Sequence, residues 1–421
     1  MKHAALRRSF AEGLDTIRQF LTAILWWILG YPLTRLIKRD GGLMVIIGRP
    51  GPVFADNSKY FFIYATNRAK SDDRVVFLTS DPVLQQQIQQ AGGASVIHPS
   101  WHSRCLLLRA STVIVDMADW FEHGAYPLTQ GSTRVQIWHG APLKHIELDI
   151  FRKRLAELSW LTRNLLSLQK RIVGRYPLFD YVVTTSQSFT EAAFQQSFRA
   201  RVFLNTGYPR NDILGVEPNT AWHSLININV DRPALSQVIA AKANGQSIVL
   251  YVPTYRKDGS NPFAGYLDLA RLSIFAQKHN VLIVFKLHPL MKISGGIGQY
   301  PGLLEYNSLG DVYPLMPLCD ILITDYSSIF FDFLLLDKPI LFFAYDLTDY
   351  LNRDSAMYFP YETMTPGPVC SDHADLEQQI GRLINITSSD PYASQRKAVR
   401  AFTHDHIDSQ ASHRLYQRLR P

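Results

Sequence analysis

A chain of 421 residues with 47% hydrophobic and 19% charged side chains can bury real cores, and this composition excludes a disordered chain. Cys105, Cys319 and Cys370 are far apart and lack metal-ligand or CxxC spacing, which points to a reducing compartment and excludes a disulfide framework. The net charge of +7 is local: residues 1–40 and 147–175 each hold seven Lys/Arg against three Asp/Glu, +4 apiece, so the remainder is near neutral and the two basic segments suit an anionic membrane surface better than a nucleic acid.

From Gln19 to Thr34 the chain carries no charge, with Arg7, Arg8 and Arg18 before and Arg35, Lys38 and Arg39 after. Interrupted by Gly30 and Pro32, this run is shorter than the roughly 20 residues that span a bilayer. No A-x-A cleavage site follows it, so it does not read as a signal peptide. Trp26, Trp27 and Tyr31 suit the interfacial zone, so residues 1–40 read as a membrane-associating helix lying in or on the surface. A buried core helix is the other reading of the same length.

From Leu43 onward short apolar runs alternate with helical segments. Leu43–Ile47, Val75–Leu78, Val113–Val115, Val135–Trp138, Tyr181–Thr184 and Val202–Leu204 are predicted strands, and Pro82–Gln90 and Ser188–Phe198 are predicted helices. Between them, Phe151, Leu155, Leu158, Leu161, Leu165, Leu168 and Ile172 recur every three or four residues. They form one amphipathic stripe with the basic residues of 147–175 off it. A second alternating series starts at Ser247, with strands expected at Ile248–Val252, Val281–Leu287, Ile321–Thr324 and Pro339–Phe343 and a helix at Leu267–Gln277. Alternation of this kind builds parallel sheets with crossover helices. The expected organisation is α/β, with a Rossmann-like first domain over 41–225 and a second over 226–421.

Four motifs directly follow predicted strands: His139-Gly140, Pro253-Thr254-Tyr255-Arg256, His288-Pro289 and Thr324-Asp325-Tyr326-Ser327-Ser328. Ligands of open α/β sheets bind outside the carboxyl ends of strands, so one rule sends all four to ligand edges. A histidine is the side chain most easily poised to move a proton near neutral pH, and Gly140 lets a ligand approach the backbone. The serine pair at a helix start suits phosphate oxygens, although it also fits an ordinary cap. Arg256 and Lys286 can pair with phosphate, and Asp325 and Asp332 can hold a ribose, a base or a helix start. No phosphate-binding P-loop, G-x-G-x-x-G, HExxH or Cys/His cluster is present.

At these residues the sequence resembles the CDP-glycerol glycerophosphotransferase family of teichoic acid polymerases and primases. The resemblance is carried by QIWHGAPLK (136–144), TGYPRND (206–212), YVPTYR (251–256), FKLHP (285–289), ITDYSSIFFD (323–332) and TPGP (365–368), six stretches in the family's order. It implies two Rossmann-like domains facing a cleft, of glycosyltransferase-B type, working at the cytoplasmic membrane face as a peripheral protein. It implies a CDP-polyol donor such as CDP-glycerol or CDP-ribitol and no resident cofactor, with Mg²⁺ left open. The acceptor is expected to be a polyol phosphate or glycan, free or lipid-linked. The resemblance makes His139 and His288 the expected catalytic pair. The expected substrate contacts are Gly140, Arg210, Thr254, Arg256, Lys286, Thr324, Asp325, Tyr326, Ser327, Ser328 and Asp332. A nucleotide-sugar transferase of the same fold and a non-catalytic glycan-binding scaffold are the alternatives.

Overall fold

The computed structural model describes residues 2–216, 224–256, 265–291, 293, 296–353, 356–385 and 390–420, with side chains from residue 15 onward except 352–353. Two parallel sheets organise it. The first has strands β1 (Asp40–Ile47), β2 (Arg74–Thr79), β3 (Ala94–Ile97), β4 (Ala110–Val115), β5 (Thr133–Gln136), β6 (Leu178–Thr184) and β7 (Arg199–Asn205). Their spatial order is β3-β2-β1-β4-β5-β6-β7. The second has β8 (Ser247–Val252), β9 (Val281–Lys286), β10 (Leu303–Tyr306), β11 (Ile321–Thr324), β12 (Ile340–Phe343) and β13 (Val369–Cys370), ordered β10-β9-β8-β11-β12-β13. Each order reverses beside its first strand, at β1/β4 and at β8/β11. Parallel strands are covered on both faces, and the central ones are accordingly apolar throughout: Leu43 to Ile46 and Ile321 to Thr324 are all buried.

The β3, β10 and β13 strands were not expected. They are short edge strands of four, four and two residues, and Ala94-Ser95 and Glu305 interrupt the apolar run that would have marked them. The segment 365–368 is a joint of the second sheet. A Cβ on Gly367 would fall 1.9 Å from the Ile340 carbonyl oxygen, and Phe342 N donates to Pro368 O.

The N-terminal helix, Lys2–Leu36, runs unbroken through Gly30 and Pro32, which corrects the expected interruption. Pro32 removes one backbone donor, and the carbonyl that loses its partner belongs to Ile28, on the exposed face where water can bond it. The helix is docked on the first lobe. Ala23 and Gly30 are buried, a Cβ on Gly30 would meet Leu128, and Trp27 Nε1 donates to Ile172 O at 2.8 Å. Arg39 is not a membrane-facing cation, because its guanidinium donates to the carbonyls of Leu107, Ala110, Leu128 and Gln130. Arg7 and Arg8 lie outside the described side chains. The single amphipathic stripe over 147–175 is two helices, Glu147–Ala156 and Trp160–Val173, separated where Ser159 caps the second. The last helix, Ala411–Leu419, returns to the first lobe, with Asp212 accepting from the N–H groups of Ala411 and Ser412. The assignment of 226–421 to the second lobe therefore fails for that helix.

Candidate active site

The carboxyl ends of the two sheets face each other across a cleft of ≈ 1070 Å³, just above the usual range for ligand pockets. The first lobe contributes Arg49, Asp56 and His139, and the second contributes Thr254, Lys286, His288, Ser327 and Ser328. The two histidines thus come from opposite lobes and line one hollow.

His139 follows β5 by three residues in a turn held under strain. Trp138 has φ +43, a conformation that costs a bulky residue of order 1–3 kcal/mol. Three consecutive carbonyls of the turn are clamped. Asn57 Nδ2 donates to Trp138 O at 2.7 Å, Arg210 Nη1 to His139 O at 2.7 Å, and Tyr208 OH to Gly140 O at 3.1 Å. His139 Nδ1 lies 2.7 Å from Asp116 O. A carbonyl only accepts, so Nδ1 carries the proton and Nε2 keeps a lone pair. Burial, and then the nearby Arg49, push the imidazole down to about 4. It is neutral at pH 7 and able to accept a proton.

Gly140 sits in close contact with the second lobe. A Cβ there would lie 2.9 Å from Ser328 Oγ, so this glycine lets the serine turn meet the histidine turn. Ser328 immediately precedes the short helix Ile329–Phe333, but its hydroxyl makes no cap bond. Both serines line the cleft, and Ser327 Oγ accepts from Ile329 N at 3.5 Å.

His288 is exposed and stacks on Tyr255, with centroids 5.1 Å apart. Its Nδ1 accepts from Leu290 N at 3.2 Å, which leaves the N–H of the neutral ring on Nε2. Partial burial, and then the charge of Lys286, lower its pKa. Burial pushes Lys286 down to about 8, and its ammonium donates to Ser308 O.

The other expected substrate contacts form the layer behind these groups. Arg256 is 4% exposed, and its guanidinium is spent on carboxylates. It donates to both oxygens of Asp346, at 2.7 and 2.9 Å, and to Asp325 at 3.0 Å. It does not line the cleft. Asp325 also accepts from the backbone N–H of Thr254 at 2.9 Å and of Tyr326 at 2.5 Å. Thr324 donates to Val252 O, and Tyr326 donates to Asp346 and stacks on Tyr350 at 3.8 Å. These four residues brace the loops that present Thr254 and the serines. Arg210 and Asp332 are likewise interior. Arg210 bridges Asp56 of the first lobe to Asp332 of the second, the latter at 2.5 Å, and Tyr313 OH donates to Asp332 at 2.7 Å.

Sequence reasoning missed the run Asp56-Asn57-Ser58-Lys59-Tyr60. Ser58 Oγ donates to Asp116 at 2.6 Å, and Asp56 pairs with Arg49 at 2.5 Å. Lys59 is fully buried and donates to Ile226 O, Ile228 O and Asp311 of the second lobe, where Tyr60 OH joins it. The available signal was four polar residues running straight into Tyr60-Phe61-Phe62-Ile63, the pattern of a helix that starts buried. Among the described residues, no group of three or more His, Cys, Asp and Glu is placed to hold a metal ion.

Two facing parallel-sheet lobes with a histidine on each side of the crevice define the glycosyltransferase-B architecture. Residues 31–420 match the model of the CDP-Glycerol:Poly(glycerophosphate) glycerophosphotransferase family, and the chain belongs to that enzyme family. It is 27% identical over 385 residues to a teichoic acid glycerol-phosphate transferase of Staphylococcus aureus, covering 88% of this chain and 90% of that one. It is 29% identical over 271 residues to a teichoic acid poly(glycerol phosphate) polymerase of Bacillus subtilis, covering 63% of this chain but spanning about a third (34%) of that protein's length. The solved structure of the wall teichoic acid polymerase TagF superposes with a TM-score of 0.68 at 20% identity, over 96% of this chain and 97% of that one. A glycotransferase of kitacinnamycin shares the fold more loosely, with a TM-score of 0.53 at 13% identity over 90% and 99%.

Proposed function

We propose that the protein moves glycerol phosphate or ribitol phosphate from a CDP-polyol to a hydroxyl of a cell-surface polymer or its lipid-linked precursor, releasing CMP, in teichoic acid or capsule synthesis. The observation that carries this reading is the shared cleft, with a neutral, proton-accepting His139 on one wall facing Lys286, His288, Ser327 and Ser328 on the other. The acceptor hydroxyl gives its proton to His139 Nε2 as its oxygen attacks the phosphorus that bears the polyol. The bond from that phosphorus to the bridging oxygen breaks, and CMP leaves with the oxygen. Charge on the transferring group is the main obstacle in phosphoryl transfer, and the Lys286 ammonium, the His288 ring and the serine hydroxyls are arranged to offset it. No step uses a resident cofactor, and a Mg²⁺ carried in with the diphosphate would share the charge of Lys286.

The same reading places the protein at the cytoplasmic membrane face as a peripheral enzyme. No described helix is long and apolar enough to cross a membrane. On the N-terminal helix, however, Ile17, Leu21, Leu25 and Ile28 form one exposed stripe. The adjacent helix Trp160–Val173 exposes Trp160, Leu161, Leu165 and Leu168, with Trp160 75% exposed. Arg18, Arg35, Arg163 and Arg171 are exposed on the same two helices. Apolar side chains flanked by cations are what an anionic bilayer surface takes up.

The test is incubation of the purified protein with CDP-glycerol, CDP-ribitol and a set of nucleotide sugars, with and without membranes. CMP release from a CDP-polyol is expected. Release of a nucleoside diphosphate from a nucleotide sugar, or no release from any donor, overturns the assignment.

A further inference from the structure

Arg49 shares the first lobe's wall of the cleft with Asp56 and His139. It stands two residues beyond β1, on a turn pinned at both ends. Gly48 N donates to Leu78 O and Gly51 N to Ser80 Oγ, each at 2.9 Å. The guanidinium is held along one side: Nη2 lies 2.5 Å from Asp56 Oδ2 and Nε lies 3.9 Å from Asp116 Oδ1. Both of those nitrogens are buried. The side chain is nevertheless 29% exposed, and Nη1 is the nitrogen left open to the cleft. We propose that Arg49 is a catalytic residue of the transfer: its open edge donates to a non-bridging oxygen of the phosphoryl group while that group moves from the donor to the acceptor hydroxyl. This inference rests on the transferase reading above.

Arg49 and His139 are built on the same two aspartates. His139 Nδ1 rests on the carbonyl of Asp116, and the carboxylate of Asp116 faces Arg49 Nε. Asp56 pairs with Arg49 through Oδ2 and with Arg210 through Oδ1, and Arg210 donates to His139 O at 2.7 Å. The charged groups around the imidazole are therefore Arg49, Asp56 and Arg210. After burial, the charge of Arg49 is the next cause that keeps the ring neutral. Of the two arginines, Arg210 is enclosed by Asp56 and Asp332, and only Arg49 lines the hollow.

Lys286, His288 and the two serines all meet the diphosphate from the second lobe. The attacking oxygen stands at His139, on the first. In an in-line displacement the attacking and leaving oxygens lie on opposite sides of phosphorus, with charge spread over the equatorial oxygens. As the bond to the bridging oxygen lengthens, the phosphoryl group travels toward the first lobe and its equatorial oxygens come under a cation of that wall. A contact that strengthens on the way to the transition state raises kcat rather than ground-state affinity. The carboxylates fix the guanidinium in advance, so it needs no rearrangement at that moment. Arg49 also offsets Asp56, which lines the same wall and would otherwise repel the phosphate. No new bond is involved: the acceptor oxygen bonds phosphorus, its proton goes to His139 Nε2, and CMP leaves with the bridging oxygen and its electron pair. Arg49 keeps its proton throughout.

The test replaces Arg49 by Gln and by Lys and follows CMP release from CDP-glycerol, with membranes as the source of acceptor. Arg49→Gln should lower kcat by about 100-fold, the usual cost of one preorganised donor, while donor KM stays within about threefold. The acid limb of its kcat/KM should move above pH 4, because a charge that helps keep His139 neutral is gone. A merely structural residue would lower the melting temperature and leave that limb in place. Arg49→Lys keeps the charge and loses the fork, so kcat should fall about tenfold with the limb unmoved; it carries the test if Arg49→Gln does not fold. Unchanged kcat in a folded variant, or a loss confined to acceptor KM, overturns the inference. If the wild type releases no CMP from any donor, the transferase reading falls by itself. Titration of orthovanadate, a five-coordinate mimic of the phosphoryl group, in the presence of CMP then decides Arg49 separately. Binding about tenfold weaker in Arg49→Gln than in the wild type supports the inference, and equal binding or none refutes it.

Discussion

His139 Nδ1 sits 2.7 Å from the backbone carbonyl of Asp116, and that contact fixes which nitrogen faces the cleft. The Asp116 side chain reinforces it from below, because its carboxylate accepts from Ser58 Oγ and N–H at the start of the neighbouring helix. A strained turn, a fixed tautomer and a clamped backbone are the marks of a group held ready for proton transfer.

Replacing His139 by Ala should lower turnover by about 100-fold or more, as expected for loss of a general base. Steady-state CMP release, with circular dichroism to confirm folding, checks this. Near-normal turnover in a folded variant removes His139 from the mechanism.

The pH profile of kcat/KM should fall on its acid side near pH 4, well below the ordinary histidine value, because burial and Arg49 disfavour the imidazolium of His139. Stability has the same sign. His98, His139 and His404 are each held down at about 4 in the folded chain, while the unfolded chain takes up protons from about 6.5 downward. Stability is therefore lost as pH falls from about 6.5 toward 4 and is fully present above that window. Denaturation at pH 7 and pH 5 separates this acid loss of stability from the acid limb of the rate. An acid limb at 6.5 with stability unchanged would contradict the assignment.

Arg256 and Lys286 should separate cleanly, although both were expected to bind phosphate. Arg256→Ala strands the buried carboxylate of Asp325 and the half-buried one of Asp346 and should cost about 3–5 kcal/mol of stability, read by chemical denaturation. Lys286→Ala should leave stability nearly unchanged and raise donor KM, because Lys286 lines the cleft. In the wild type, donor KM should also rise as pH climbs past about 8, where the Lys286 ammonium is lost. The reverse pattern in the two variants would return Arg256 to the donor site.

Membrane attachment is best tested by point substitution, because Ala23, Gly30 and Trp27 of the N-terminal helix belong to the first lobe's packing and deleting the helix would unpack it. Leu21→Gln, Leu25→Gln, Leu161→Gln and Leu165→Gln together remove four exposed apolar side chains. At ~25 cal/mol per Å² of apolar area withdrawn from water, they should abolish sedimentation with vesicles of phosphatidylglycerol while leaving the melting temperature in place. Undiminished sedimentation assigns attachment to another surface.

The sequence by itself determined the local and repeating features. Apolar runs such as Leu43–Ile47 and Ile321–Thr324, alternating with helical segments, dictated two parallel sheets. Parallel sheets in turn sent His139, Thr254, His288 and the serine turn to ligand edges, because side-chain period and crossover handedness are properties of short stretches. Which cations and carboxylates line the cleft was decided only by the tertiary structure. Arg210 and Arg256 have the same side chain and the same loop placement as a phosphate ligand would. They are nevertheless enclosed by Asp56 and Asp332 in one case, and by Asp325 and Asp346 in the other. Each of those pairings joins residues at least 69 positions apart. Only chain packing brings such residues together, and a buried guanidinium takes whatever carboxylate that packing delivers.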